Sequence, residues 1–288
     1  MTTGSREPES LCGLDALDEL LAKAGGENFP VASRLLPPRY RRHLLAVYGF
    51  ARLVDDIGDE APPAQRLRLL DRLEDDVDRI YEGVPQLPAT RALRDTVQAC
   101  AIPPEPFLRL IEANRQDQRV SRYATFEELL GYCELSANPV GHIVLYIFDA
   151  ATPERLRLAD RVCTALQLVE HWQDVAEDYG RGRVYLPQED LERFGVAERD
   201  LAAPSAGARL RRLIAFETRR AARFLDEGSP LVATLSGFPR LATAGYVAGG
   251  RAALAAIEAA GWDVLRATPR PRHARLLRET LRAFTVGS

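Results

Sequence analysis

The sequence predicts an all-α protein folded as a single-domain helical bundle, and three observations lead there. Apolar residues recur at spacings of three and four along nearly the whole chain, the period of a helix with one buried face. Prolines fall between the periodic stretches, at Pro37-Pro38, Pro62-Pro63, Pro85, Pro88, Pro103-Pro104, Pro153, Pro187, Pro204 and Pro239, where a residue without an amide hydrogen punctuates helices. No stretch alternates apolar and polar residues for the length of a useful strand. With 288 residues, 46% of them hydrophobic, the chain can bury a sizeable core, and one domain is preferred over two smaller ones.

The elements follow in order from that punctuation. Residues 1–11, Met-Thr-Thr-Gly-Ser-Arg-Glu-Pro-Glu-Ser-Leu, are polar and read as loose; with a short helix near 14–24 they make an N-terminal extension over 1–25, ahead of a bundle over 26–288. A helix at 39–59 fills the space between Pro37-Pro38 and Pro62-Pro63, and one at 64–82 runs from there towards Pro85. Pro88 opens a helix at 89–100, and Pro103-Pro104 opens another at 105–117. The apolar period then predicts helices at 125–149 and 154–179, divided by Pro153. Helices at 205–227 and 240–260 follow Pro204 and Pro239, and one at 273–285 closes the chain, which has no internal repeat and no low-complexity tract.

Composition excludes several function classes. Net charge is -3, Lys23 is the sole lysine, and the arginines are spread rather than clustered, so no nucleic-acid surface is expected. Cys12, Cys100, Cys133 and Cys163 are far apart with no CxxC and no signal peptide, which predicts free, mostly buried thiols in a reducing, cytoplasmic setting. The longest apolar runs, Leu44 to Phe50 and Ile143 to Phe148, fall far short of the roughly 20 residues of a membrane span. The final segment gathers Arg266, Arg270, Arg272, Arg275, Arg278 and Arg282 beside Leu276, Leu277, Leu281 and Phe284. That is either a terminal helix with a solvated basic face or a peripheral contact with an anionic membrane surface at the inner face.

Two helix-length stretches carry carboxylates four residues apart: Asp55 and Asp59 in Ala51-Arg-Leu-Val-Asp-Asp-Ile-Gly-Asp-Glu60, and Asp174 and Asp178 in Glu170-His-Trp-Gln-Asp-Val-Ala-Glu-Asp178. Residues i and i+4 share a helical face, so each pair is a like-charge stack that weakens its own helix by a few tenths of a kcal/mol. Projection places Tyr48, Arg52, Asp55 and Asp59 on one stripe, and Cys163, Gln167, Glu170, Asp174 and Asp178 on another. One such face alone reads as a solvated surface; two in predominantly apolar helices favour a shared cation, and oxygen donors suit a hard divalent ion with phosphate. Facing acidic helices also build di-iron sites, but these need Glu-x-x-His pairs, which the sequence lacks. The following Tyr179-Gly-Arg-Gly-Arg-Val-Tyr-Leu-Pro187 places Arg181, Arg183 and Tyr185 in a glycine-loosened loop, where arginines could clamp the oxygens of a diphosphate. In Tyr132-Cys-Glu-Leu-Ser-Ala-Asn-Pro-Val-Gly-His142, small residues and Pro139 mark either a plain kink or room for a long apolar substrate.

These segments in this order resemble the squalene and phytoene synthase family of head-to-head prenyl synthases, over roughly residues 26 to 268. The anchors are Asp55-Asp-Ile-Gly-Asp59, Tyr132-x-x-x-x-Ala137 with Val140-Gly141, Gln167-Leu-Val-x-x-x-Gln-Asp-Val-Ala-Glu-Asp178, and Arg181-Gly-Arg-Val-Tyr-Leu-Pro187. The opening Glu27-Asn-Phe-Pro-Val-Ala-Ser33, with Leu35-Leu-Pro37 behind it, is most similar to the hydroxysqualene synthase branch of the bacterial hopanoid route. The resemblance implies an isoprenoid synthase-type bundle around a central cavity, with Mg2+ carried by Asp55, Asp59, Asp174 and Asp178, and with Asp56 and Glu177 adjacent. It places Asn28, Tyr48, Arg52, Arg181 and Arg183 near the diphosphate, Tyr185 in the same loop, and Tyr132, Ala137, Gly141 and Gln167 along the channel. The family usually has asparagine where this chain has Glu170, so that carboxylate either joins the metal face or forms a salt bridge.

The implied reaction is ionisation of presqualene diphosphate, rearrangement of the cyclopropylcarbinyl cation in a water-poor cavity, and capture by one admitted water to give hydroxysqualene. Condensation of two prenyl diphosphates such as farnesyl diphosphate, to presqualene diphosphate, squalene or phytoene, is the alternative on the same fold. A catalytically silent assembly or lipid-binding protein is the reading from another class. Other squalene-route enzymes are the implied functional partners.

Overall fold

A computed structural model describes residues 37–271. Over these the chain forms α1 (Pro38–Asp59), α2 (Pro63–Glu82), α3 (Pro88–Cys100), α4 (Glu105–Asp117), α5 (Phe126–Ser136), α6 (Asn138–Ile147), α7 (Pro153–Gln173), α8 (Val175–Gly180) and α9 (Gln188–Phe194). A 3₁₀ turn (Glu198–Ala202), α10 (Ala208–Gly228), α11 (Leu231–Thr234) and α12 (Gly237–Ala259) complete it. Among the described residues there is no strand, only an isolated bridge between Arg122 and Val184, and no helix is long and apolar enough to cross a membrane. The expected extension over 1–25, the helices near 14–24 and 273–285, Asn28 and Cys12 lie outside the described residues. Cys100, Cys133 and Cys163 are free thiols.

Pro38, Pro63, Pro88 and Pro153 are each the first residue of a helix, where the missing amide hydrogen has no intrahelical acceptor to lose and the fixed φ is already helical. Thr125 and Thr152 cap α5 and α7, their hydroxyls accepting from the backbone amides of Glu128 and Arg155. Two long expected helices are each divided. The 125–149 stretch breaks at Ala137, and Thr164 of α7 donates to Asn138 Oδ1 at 3.0 Å, pinning the break. The 154–179 stretch breaks at Asp174 (φ −104°, ψ 17°), although the Asp178 amide still donates to the Asp174 carbonyl at 2.8 Å, so the chain direction survives. Helices α9 and α11 and the 3₁₀ turn are too short to show a hydrophobic period and went unanticipated.

The core is two hydrophobic clusters. One gathers Leu44, Val47, Phe50, Leu70, Leu93, Phe107 and Leu110 with Ile143 and Leu145; the other gathers Leu129, Val162, Leu168, Trp172, Leu213 and Val247. Helix α7 contributes Ala159 to the first and Val162 onward to the second. Its neighbours approach closely: a Cβ on Gly228 of α10 would lie 2.8 Å from Leu158 O and Val162 N, and one on Gly141 of α6 would lie 2.6 Å from Cys163 Sγ. Two charged groups are buried with their partners. Glu217 of α10 and Asp190 of α9 share Arg220, whose Nη1 lies 2.9 Å from Asp190 Oδ2 and 3.3 Å from Glu217 Oε1.

Asp76 ties α2 to α3. It is buried and accepts from the amides of Gln86 and Leu87, both at 2.8 Å, from Arg79 Nη1 at 3.1 Å, and from the Thr90 hydroxyl, so it anchors the chain as it enters α3. Burial alone would raise its pKa, but the hydrogen bonds outweigh it and hold the carboxyl below its ordinary value. A depressed acid contributes stability above its unfolded pKa and loses it as pH falls through the folded one. Asp76→Asn should therefore cost about 3 kcal/mol at neutral pH in urea unfolding, because an amide cannot accept this set. The stability gap between parent and variant should narrow as pH drops below about 4. A variant as stable as its parent at pH 7 would show that packing alone holds α3.

Candidate active site

Helix α1 presents the first acidic motif. Tyr48, Arg52 and Asp55 line an apolar cavity of about 370 Å³, and Asp55 and Asp59 line an adjoining polar cavity of about 280 Å³. Arg52 does not stack on Asp55: its Nη2 lies 2.9 Å from Asp56 Oδ1 and 3.5 Å from Glu60 Oε1, so Asp56 is taken up by that pairing. Asp55 instead accepts from Asn114 Nδ2 of α4 at 3.4 Å. Burial pushes the Asp55 carboxyl up to about 6; Asn114 opposes the shift and Asp59 adds to it. The end of α1 is held from below. Arg66 donates to Asp59 O and Ala61 O, both at 2.8 Å, while Gln118 donates to Gly58 O at 3.1 Å and accepts from Arg66. These satisfy the terminal carbonyls of the helix with a cation at its negative end.

The second motif stands at the break between α7 and α8. Burial raises Asp174, with Glu177 next in effect. Asp178 is pushed up to about 7, first by burial and then by Asp174, with Arg181 and Arg183 opposing. Arg181 points outward and pairs with Glu177 at 2.8 Å, both exposed. Arg183 crosses the cleft: its Nη2 lies 3.0 Å from Asp59 Oδ1, and it also faces Asp117 and Asp178. One guanidinium thus links the two acidic motifs. Asp174, Glu177 and Asp178 line neither cavity, and Glu170 lines the apolar one.

Two residues of α4 belong to this cleft without having been expected there. Asn114 and Asp117 line the polar cavity, and Asp117 accepts from the Tyr132 hydroxyl at 2.9 Å. Burial raises Asp117 to about 6 against the pull of Arg183. They stand three residues apart on one face of α4, and that spacing is the signal that would have found them. Tyr132 lines the polar cavity, Ala137 and Gly141 the apolar one, and Gln167 both. Tyr185 lies behind the cavities in an aromatic group, stacked on His171 at 3.7 Å between ring centroids. Burial, then Arg183, depress His171 to about 3, so it is neutral at pH 7 and gives Glu170 no salt bridge.

Among the described residues no group of three or more His, Cys, Asp or Glu side chains is arranged to hold a metal ion by itself. The donor set still fits Mg2+ in the form it is commonly bound, by one or two carboxylates plus substrate phosphates rather than an all-protein cage. Asp55, Asp59, Asp117, Asp174 and Asp178 are hard oxygen donors, and the raised values of Asp55, Asp117 and Asp178 record carboxylates crowded together away from water.

The family model described as squalene/phytoene synthase matches residues 22–278. A hydroxysqualene synthase of Rhodopseudomonas palustris is 34% identical over 215 residues, 74% of this chain and 72% of the relative. A 15-cis-phytoene synthase of Synechocystis sp. is 35% identical over 214 residues, 70% of this chain and 64% of the relative. The crystal structure of the squalene synthase HpnC from Alicyclobacillus acidocaldarius is 44% identical with a TM-score of 0.78, covering 86% of this chain and 94% of that one.

Gly58, inside the first acidic motif, makes the contact with Asn114 possible: a Cβ there would come within 2.0 Å of Asn114 Oδ1. Gly58→Ala should push Asn114 off Asp55, so in a double-mutant cycle with Asn114→Ala the two changes should be coupled by on the order of 1 kcal/mol in unfolding free energy. Strict additivity would show that the contact carries no energy.

Proposed function

The chain is a member of the squalene/phytoene synthase family, and from that membership we propose that it ionises presqualene diphosphate and lets water capture the rearranged cation, giving hydroxysqualene and diphosphate. The observation that supports this best is the joining of two unlike cavities. A polar one, with Asp55, Asp59, Asn114, Asp117 and Arg183, opens through Ala51, Ser136, Val140 and Gln167 into one walled largely by Leu, Val and Ala. That division matches a ligand with a diphosphate head and a long hydrocarbon body.

On this reading Asp55, Asp59, Asp174 and Asp178 would hold Mg2+, which would supply positive charge to the departing diphosphate. Arg183 brings guanidinium donors to the same oxygens from between the two motifs, and on α1 Arg52 adds its guanidinium and Tyr48 its hydroxyl. Arg181 acts from the rim. Tyr132, held by Asp117, bounds the polar end, and Ala137 and Gly141 keep the wall of the hydrocarbon cavity thin where α6 meets α7. Leu44, Val47, Val144, Leu145, Val162 and Leu166 keep bulk water from the cation. Glu170 sets a carboxylate on that wall, where it adds to the charge that faces a bound cation.

Product analysis with purified protein, Mg2+ and presqualene diphosphate tests the reading, hydroxysqualene and diphosphate in equal amounts being expected. Farnesyl diphosphate alone is the second arm: presqualene diphosphate formed from it would favour condensation, and no diphosphate release from either substrate would favour the silent protein. Asp55→Asn should lower diphosphate release by about 100-fold or more while the melting temperature holds or rises slightly, since the change removes a charge from the ligand site and a repulsion from α1. Near-parental turnover in that variant would sink the assignment of Asp55.

A further inference from the structure

Ser136 ends α5 where the two cavities meet and lines both. Its Oγ is buried and has no hydrogen-bond partner among the described residues. A serine in a helix commonly turns its hydroxyl back to the carbonyl one turn earlier, and Ser136 makes no such bond. A buried hydroxyl left unsatisfied is destabilising, so it calls for a partner that is neither side chain nor backbone. Gln167 of α7 is the other uncharged polar residue shared by both cavities, and among the described residues its one hydrogen bond is a 3.4 Å contact with His171. With the Asp55 carboxylate, also shared, three polar groups from α1, α5 and α7 border one junction, which is the number of partners a buried water takes. The break at Ala137, pinned by Thr164 on Asn138, fixes the end of α5 against α7.

We infer that Ser136, together with Gln167, holds the water molecule that captures the carbocation, and so decides between an alcohol and a hydrocarbon product. The inference rests on the proposed ionisation of presqualene diphosphate. The water oxygen forms the new C–O bond to the cationic carbon, one of its O–H bonds breaks, and the proton passes to the diphosphate freed by ionisation; nothing is oxidised or reduced. With no water held at the junction, the cation is discharged by loss of a proton from an adjacent C–H to the same diphosphate, leaving a hydrocarbon with one more double bond.

The full chain, given presqualene diphosphate and Mg2+ in ¹⁸O-labelled water, should yield alcohol carrying the label. Ser136→Ala should release diphosphate at the parental rate while the alcohol-to-hydrocarbon ratio falls about fivefold, the factor that one hydrogen bond contributes. Ser136→Thr, which keeps the hydroxyl, should restore the parental ratio. Should Ser136→Ala fail to fold, Ser136→Cys replaces the hydroxyl by a weak donor of similar shape, and the same fall is expected. An unchanged ratio, or a slower release with the ratio intact, overturns the inference while leaving the proposed function standing. A parent enzyme that makes no alcohol from presqualene diphosphate overturns both, and that failure is visible before any variant is made.

Discussion

Helix α7 lies so close to its neighbours that its position is not adjustable, and the cleft is referred to it. Gly228 lets the backbone of α10 meet the backbone of α7, and Gly141 lets α6 rest on Cys163. At the first crossing a Cβ would strike Val162 Cγ2 and two main-chain atoms, Leu158 O and Val162 N, and main chain cannot rotate aside. A helix held so tightly can carry an irregularity at its end without losing register, and the break at Asp174 falls there, one turn before Asp178. Close packing of the α6 and α10 glycines against α7 thus fixes where the second set of carboxylates begins.

Electrostatics sets the opposing demand. Asp55, Asp59 and Asp117, from α1 and α4, line the polar cavity, Asp178 stands beyond it within reach of the Arg183 charge, and burial raises Asp55, Asp117 and Asp178 towards neutrality. The fold opposes this with arginines whose roles differ. Arg66 is spent on the carbonyls at the end of α1, Arg52 on Asp56, and Arg181 on Glu177 near the surface. Among the described residues Arg183 spans the motifs, and Tyr185, Asp117 and Asp59 raise its pKa by more than burial lowers it. Its loop position after Gly182, at φ +82°, is what lets the chain turn back across the cleft within a few residues of Asp178.

Much of this was legible in the residues. Proline positions located helix starts to within a residue at Pro38, Pro63, Pro88 and Pro153, because a missing amide hydrogen is a local fact that tertiary contacts do not override. The acidic stripes were visible because like charges at i and i+4 oppose their own helix and so stand out. What stayed hidden depends on partners distant in sequence. Nothing near Asn114 or Asp117 says that α4 lies beside α1, and the pairing of Arg52 with Asp56 rather than Asp55 is a choice of rotamer. The divisions at Ala137 and Asp174 interrupt hydrophobic patterns that continue through them, so periodicity alone reads two helices as one.

The larger cavity lies along the seam between the two hydrophobic clusters. Leu44, Val47, Leu110, Leu145, Ala159 and Leu231 wall it from one cluster, and Val162 and Leu166 from the other. A side chain on such a seam already faces open space on one side, so trimming or lengthening it forfeits fewer contacts than the same change in a filled interior. Phe50, Leu168 and Trp172, which carry the packing, stand behind that wall and need not change with it. The shape of the bound hydrocarbon is therefore a trait that selection can alter in small steps at low risk to folding, whereas the charged end, where each carboxylate answers to several neighbours, has little room to drift.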